Sequence, residues 1–319
     1  LKGDNMKEEK IPSLTEKIRI FALGGLDEDG KNLFCVEVDQ SIYVIEAGIK
    51  FPDNKESLGI EFIIQDFTYL VENKDRVAAI FITHGHDDVM GALPYLLKQV
   101  PCDVYTAPLA VKEVQKMIRQ EHISGVRVHS VKRNEKKRIG KRRIVFFPIT
   151  HAYPGTFGLA IQTDQGYIVY SGEFIEDYDD LEDAYRADFT TISEIGNEGV
   201  LALLQESKGA ERSGHTSPNH RIAPKLLQVL ETHEQKRVFV SVYNQSVYRI
   251  QEIIDCCMAS HRKIVFYSKE LRELVERLKD IGYEVDPTLV VDPQDFDNSM
   301  KDVVVIISGQ GKSLSLIHI

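Results

Sequence analysis

Six consecutive residues, Thr83-His84-Gly85-His86-Asp87-Asp88, carry the densest chemistry in the chain. Two imidazoles two residues apart can both turn toward one ion, and a glycine between them permits a tight loop. Asp88 adds a carboxylate on the same loop. The rival reading is a chance cluster of surface polar residues. It loses ground because the loop follows the apolar run 78–83, which reads as a buried strand. His151 follows a second strand-like run, 144–149, and Glu173 follows a third, 167–171. Either residue alone reads more readily as a satisfied structural group. Together, these strand ends are expected to converge at one sheet edge, where three histidines and carboxylates make a Zn2+ or Mn2+ site.

The elements that must position these groups follow from hydropathy. Strands are expected at 18–23, 33–38 and 41–45, with short apolar alternations separated by turn residues. A short helix is expected at 66–72, then the 78–83 strand. A helix at 91–99, a strand at 103–107 and a helix at 108–121 with proline in its first turn come next. Strands return at 144–149, 158–163 and 167–171. A helix precedes the apolar run 200–204, read as a buried strand. Beyond a glycine- and serine-rich loop the rhythm changes. Helices at about 218–232, 246–260 and 269–282 alternate with strands at 237–242, 263–267 and 303–307, which predicts a parallel sheet with its own core. The boundary is placed near residue 206. The last residues, from Ser308 on, read as a truncated or frame-shifted end.

The 319 residues leave room for one large or two ordinary domains, and 43% hydrophobic residues can bury a real core. A net charge of −10 does not advertise nucleic-acid binding, although the placement of basic residues matters more than their sum. The one dense basic run, Lys132 to Arg143, reads as a solvated hairpin. Cys35, Cys102, Cys256 and Cys257 have neither metal-site nor disulfide spacing. With no apolar signal core, a reducing cytoplasmic location is expected. Gly25 to Asn32 nearly fits a phosphate-binding loop. However, Asn32 lacks the hydroxyl that Mg2+ needs, and Asp27, Glu28 and Asp29 would repel phosphate.

The His-Gly-His-Asp-Asp pattern with a later His and a later acid resembles the metallo-β-lactamase superfamily. Ala22-Leu23-Gly24-Gly25, Gly30-Lys31-Asn32, Ala47-Gly48, Phe51-Pro52, Asp66-Phe67-Thr68-Tyr69-Leu70 and Pro94-Tyr95-Leu96-Leu97 narrow the resemblance to the ribonuclease J family. So do Ile195-Gly196, Gly199-Val200-Leu201 and Ala210-Glu211-Arg212. The resemblance runs from about residue 18 to about residue 312. It implies an α/β fold: an αββα metallo-β-lactamase sandwich with an inserted, here incomplete, β-CASP domain. The implied domains are a flexible segment 1–16, the sandwich 17–206 lacking its C-terminal strands, a partial β-CASP domain 207–312 and a non-native tail 313–319. The implied activity is RNA hydrolysis, from the 5′ end and internally, in RNA processing and decay. Two metal ions would serve it by activating water and stabilising charge on oxygen.

By the same resemblance His84, His86 and His151 hold the first metal, Asp88 belongs to the second and Glu173 takes the bridging position. Asp88 and Glu206 are the catalytic carboxyls. Several positions depart from the family pattern. Val89 stands where the family has a histidine, Glu173 and Glu206 stand where it has aspartates, and Glu46 replaces the aspartate before Ala47-Gly48. No histidine stands near Tyr248. One metal site is therefore expected to persist and the second to be poorly held. This matches the degenerate second paralogue of Gram-positive bacteria, and it implies weak intrinsic activity. The alternative is an inactive RNA-binding subunit, in a homo- or hetero-oligomer with an active paralogue. A small-molecule hydrolase on the same fold is a third class, disfavoured by the second half of the chain.

Overall fold

The computed structural model describes residues 16–52, 59–175, 182–214, 221–297 and 299–308. Residues 1–15 of the expected N-terminal segment and the expected tail 313–319 lie outside the described residues. So do residues 218–220 of one expected helix.

Three sheets follow one another along the chain. The first has six strands in chain order: β1 (Ile18–Gly24), β2 (Leu33–Val38), β3 (Ser41–Ile45), β4 (Val77–Ile82), β5 (Val104–Thr106) and β6 (Val128–Ser130). It begins antiparallel and turns parallel from β3 onward. The second sheet contains β7 (Lys136–Ile139), β8 (Arg142–Pro148), β9 (Phe157–Thr163), β10 (Gly166–Tyr170) and β11 (Val200–Leu204). Its spatial order is β11-β10-β9-β8-β7. The third is parallel, with β12 (Val238–Val242), β13 (Lys263–Phe266), β14 (Val290–Val291) and β15 (Val303–Ser308) ordered β12-β15-β13-β14.

Period-2 alternation decides how these sheets stack. On β4, Ala79 and Phe81 join Ile144, Phe146, Leu159 and Ile161 of the second sheet in one buried cluster. Ile80 and Ile82 point the other way, toward Leu70 of α1 (Thr68–Glu72) and Leu93, Leu96 and Leu97 of α3 (Leu93–Gln99). The turn α2 (Asp87–Met90) and the helix α4 (Val111–Gln120) complete that outer layer. Behind the second sheet, Ile195 of α5 (Phe189–Glu198) packs on Val145, Phe147 and Val169. The result is four layers: helix, sheet, sheet, helix. The third sheet is flanked by α6 (Ala223–Thr232), α7 (Val247–Ala259) and α8 (Lys269–Leu278).

Among the described residues, most of the third sheet's apolar side chains are continuous with the core of the first two sheets. Ile250, Ile253, Ile264 and Leu271 belong to the same cluster as the space between the first two sheets. Only Val265, Val303 and Val305, on the other face, form a patch of their own. The basic run is a hairpin, as expected, with β7 and β8 antiparallel. The near-phosphate loop runs into strand β2 rather than a helix, and Lys31 is engaged by Glu28 at 3.2 Å. All four cysteines are free. Among the described residues, no helix is long and apolar enough to cross a membrane.

One strand corrects the sequence reading. The run 200–204 is not buried: Leu203 is 56% exposed, and Val200 and Leu201 are also exposed. Among the described residues it is the outermost strand of its sheet and pairs only with β10. Ala202 and Leu204 reach the core, while no described residue covers the opposite face. The far edge of the same sheet, β7, carries Lys136, Lys137 and Arg138, charges that discourage edge-to-edge pairing. No such guard stands on β11. Leu203→Lys is therefore expected to suppress self-association of the 319-residue chain, read by light scattering against concentration, while its melting temperature stays within about 2 °C. A sharp loss of stability would show that Leu203 is packed after all.

Candidate metal centre

The chain leaves β4 at Ile82 and enters a short loop that ends in α2, with His86 as the extended residue just before that turn. His84 is fully buried and His86 half-buried. His151 follows β8 and Glu173 follows β10. The contributing strand ends therefore belong to two facing sheets, not to one sheet edge as expected. Facing sheets let ligands approach an ion from both sides. His84, His86, His151 and Glu173 each offer a donor atom, and these atoms lie within 4.8 Å of one another. Among the described residues this is the only such group.

Hydrogen bonds to the rings choose which nitrogens are available. Thr83 Oγ1 donates to Glu46 Oε1 at 2.6 Å, and Thr83 N–H donates to Glu46 Oε2 at 3.2 Å. The Thr83 oxygen then accepts from His84 Nδ1–H at 2.9 Å, leaving the lone pair on Nε2. That Nε2 atom is buried without a hydrogen-bond partner. His86 Nε2–H donates to the carbonyl oxygen of Gln245 at 2.9 Å, which leaves Nδ1 free. His151 Nε2 faces His86 Nδ1 at 3.3 Å. Neighbouring nitrogens around a tetrahedral ion with bonds of about 2.0–2.1 Å lie about 3.3–3.4 Å apart. The donor set, the spacing and the orphaned nitrogen all fit a divalent metal. Partners that orient ligating rings in this way are the usual outer support of such sites.

Burial holds all three imidazoles in the neutral form that a metal requires. His84 is pushed well below the ordinary histidine value by burial and by its two neighbours. His151 falls to about 3, chiefly through burial, and His86 is also lowered by burial. The carboxyls move the other way. Burial raises Glu46 to about 8, although Thr83 opposes the shift. Glu173 is raised by burial and then by Asp88, with which it shares a hydrogen bond. Glu206, just past β11, is raised by burial and receives the Phe174 backbone N–H. Carboxyls raised first by burial and then by one another would ionise more readily beside a cation.

Asp88 therefore lies beside Glu173 rather than within the histidine group. Val89 is wholly buried. Glu173 and Glu206 border a cavity of about 830 Å3 whose rim carries Lys208 and Arg212, with Lys208 bound to Asp29 at 2.9 Å. Residues not expected to support the ligands also take part. Asn32 Nδ2 donates to Glu173 Oε1 at 3.4 Å. Glu46 holds a left-handed backbone (φ 65°) while serving as the acceptor behind His84. Gly85 is small for a different reason from the one expected: a Cβ there would meet the Tyr153 ring and hydroxyl at 2.5–2.7 Å.

Residues 52–239 match the family model described as "Beta-lactamase superfamily domain", and residues 235–318 match "Ribonuclease J, beta-CASP domain". The chain is 33% identical over 300 residues to Ribonuclease J 2 of Staphylococcus epidermidis and 34% identical to that of Staphylococcus aureus. Each alignment covers 93% of the chain and 53% of the relative, so the chain spans about half the length of the curated relatives it matches. The fold also matches the crystal structure of a protein of unknown function from Enterococcus faecalis V583. That match has a TM-score of 0.64 and 15% identity over 92% of this chain and 77% of that one.

Proposed function

The chain belongs to the β-lactamase superfamily, and on that premise we propose that it is a metal-dependent RNA hydrolase of the ribonuclease J kind, cleaving from the 5′ end and internally, with weak intrinsic activity. One observation carries the reading: three neutral imidazoles present Nε2, Nδ1 and Nε2 to a common point, and the first of these has no other partner. His84, His86 and His151 would hold a single Zn2+ or Mn2+, with Glu173 as the fourth donor. The ion, when bound, lowers the pKa of water and stabilises charge on phosphoryl oxygen. A second ion would find only Asp88 and Glu173, because Val89 offers no donor.

The protein's own groups then have distinct roles. Glu46 and Thr83 orient His84. Asn32 steadies the Glu173 carboxyl. Asp88 and Glu206 are assigned to proton transfer: Glu206 is raised by burial and so can hold a proton nearer neutrality. The cavity of about 830 Å3 beside Glu173 is large enough for nucleotide-sized groups, with Lys208 and Arg212 at its rim for phosphates. We place the protein in the cytoplasm, acting on RNA and assembling with itself or with an active paralogue.

The test is digestion of 5′-monophosphorylated RNA with added Zn2+ or Mn2+. Slow shortening is expected, lost with chelator and in His84→Ala, whose rate should fall at least about 100-fold. Equal rates in parent and variant would reject the metal centre as the catalyst. Tight zinc binding with no hydrolysis would instead make the chain an RNA-holding subunit.

A further inference from the structure

The histidines all belong to the first two sheets, but the group that fixes His86 does not. The loop after β12 crosses from the third sheet and reaches the centre at three points. The Gln245 carbonyl accepts from His86 Nε2–H at 2.9 Å. The Gln245 side-chain amide donates to Asp87 Oδ2 at 2.8 Å, one residue further along the ligand loop. The Tyr248 backbone N–H, in the first turn of α7, donates to the carbonyl of Ala152, the neighbour of His151. These bonds tie together two ligand-bearing loops that the first unit holds on opposite sheets. Val247, between them, is buried, and the Tyr248 ring stacks edge-on against Tyr185 at 4.9 Å.

We propose that Gln245 is a positioning residue for the metal centre, so that metal binding and docking of the third-sheet unit are thermodynamically coupled. The inference rests on the reading that the three histidines hold an ion. A carbonyl can only accept, so its contact keeps the proton on His86 Nε2 and the lone pair on Nδ1. The side-chain bond to Asp87 holds that carbonyl in register with the ligand loop. The other ties between the units include a shared apolar cluster, the buried bond from the Tyr185 hydroxyl to Gln251 and the ion pairs Glu113–Arg277, Lys112–Asp280 and Lys116–Glu273, but none of these makes a hydrogen bond to a ligand ring. Coupling of this kind is reciprocal: whatever factor the docked loop adds to metal affinity, the metal adds to docking.

The experiment measures zinc affinity of the whole chain by chelator competition, with cobalt(II) absorption reporting ligand geometry. Gln245→Leu is expected to weaken zinc binding about 10- to 100-fold while far-UV circular dichroism is unchanged. Gln245→Glu, which sets a carboxylate against Asp87, should weaken it at least as much. The double variant Asp87→Asn with Gln245→Glu reverses the bond, because the asparagine amide now donates to the glutamate. It should return affinity to within about threefold of the parent. Nitrogen NMR of the metal-free protein should find His86 protonated on Nε2 in the parent and a tautomer mixture in Gln245→Leu. Parent-like zinc affinity in Gln245→Leu, or a double variant as weak as Gln245→Glu, overturns the clamp. A parent that binds no zinc overturns the metal centre itself.

Discussion

Alanine at position 48 is expected to leave little or no folded protein. A Cβ on Gly48 would stand 1.5 Å from the carbonyl oxygen of Asp88 and 2.1 Å from its carbon. Both are backbone atoms, so no side chain can yield. The two segments are stitched together, with Ala47 N–H donating to Val89 O at 2.7 Å and Ile49 N–H to Asp87 O at 2.8 Å. To admit a methyl group, the ligand loop must move by more than an ångström and break this ladder. The cost should exceed about 4 kcal/mol, a large part of the net stability of an ordinary domain. Any soluble remainder should bind zinc poorly, because His86 moves with the loop. Gly196→Ala is the control. It lies inside α5 with nothing within 4 Å of its Cβ position, so alanine there should stabilise by about 0.5–1 kcal/mol. Circular dichroism, thermal melting and zinc titration of both variants decide the matter. A Gly48→Ala protein with parental stability would show that the segments do not cross as described.

The second large effect concerns pH and metal together. Glu46 has a folded pKa of about 8, against an ordinary value of 4.5. Below about pH 4.5 both folded and unfolded states hold its proton, and no stability is lost. As the pH rises toward 8, the unfolded chain ionises while the folded one cannot, so stability falls across that window. Glu173 acts in the same direction. His151 acts oppositely: its folded pKa of about 3 lies below the ordinary 6.5, so its cost appears only as pH falls below 6.5. Each pH unit separating the two states is worth about 1.4 kcal/mol, so the Glu46 effect alone reaches several kcal/mol. Metal-free protein should therefore be most stable near about pH 5–6 and weaken toward about pH 8. Zinc supplies the missing positive charge and needs unprotonated ligands, so its stabilisation should grow over the same range. Melting temperatures with chelator and with zinc across this span are the measurement. A metal-free protein that gains stability steadily to pH 8 would contradict the assignment of Glu46 and Glu173.

The four residues that the structure brings within 4.8 Å of one another were legible in the sequence because each follows a readable element. His84 and His86 share a loop behind an apolar strand, and His151 and Glu173 follow recognisable strands. The layers were legible for the same reason, since alternation along β4 states which side chains face which neighbour. What escaped notice depends on distance along the chain. Asn32 and Glu173 are 141 residues apart, and His86 and Gln245 are 159 apart. No local pattern carries such a pairing, and a lone glutamine before a helix looks like any loop residue. The strand β11 misled for a different reason. Val200 to Leu204 is apolar enough for an interior strand, and composition cannot reveal that the strand has a neighbour on one side only. The short β6, the charged β7 and the two-residue β14 are too brief or too polar for period-2 alternation to register.

The long spans between the ligands and their supports also bear on how the molecule is made. The chain must close loops of 65 residues to join His86 to His151 and of 159 residues to bring Gln245 to His86. Closure entropy of that size is recovered only once both sheets are paired and the third is docked. The centre is thus among the last features to form and among the first to open. An ion that recognises only the finished arrangement cannot guide the search for it. Such an ion would act as a latch, lengthening the life of the folded molecule while the rate of its formation is set by the sheets alone.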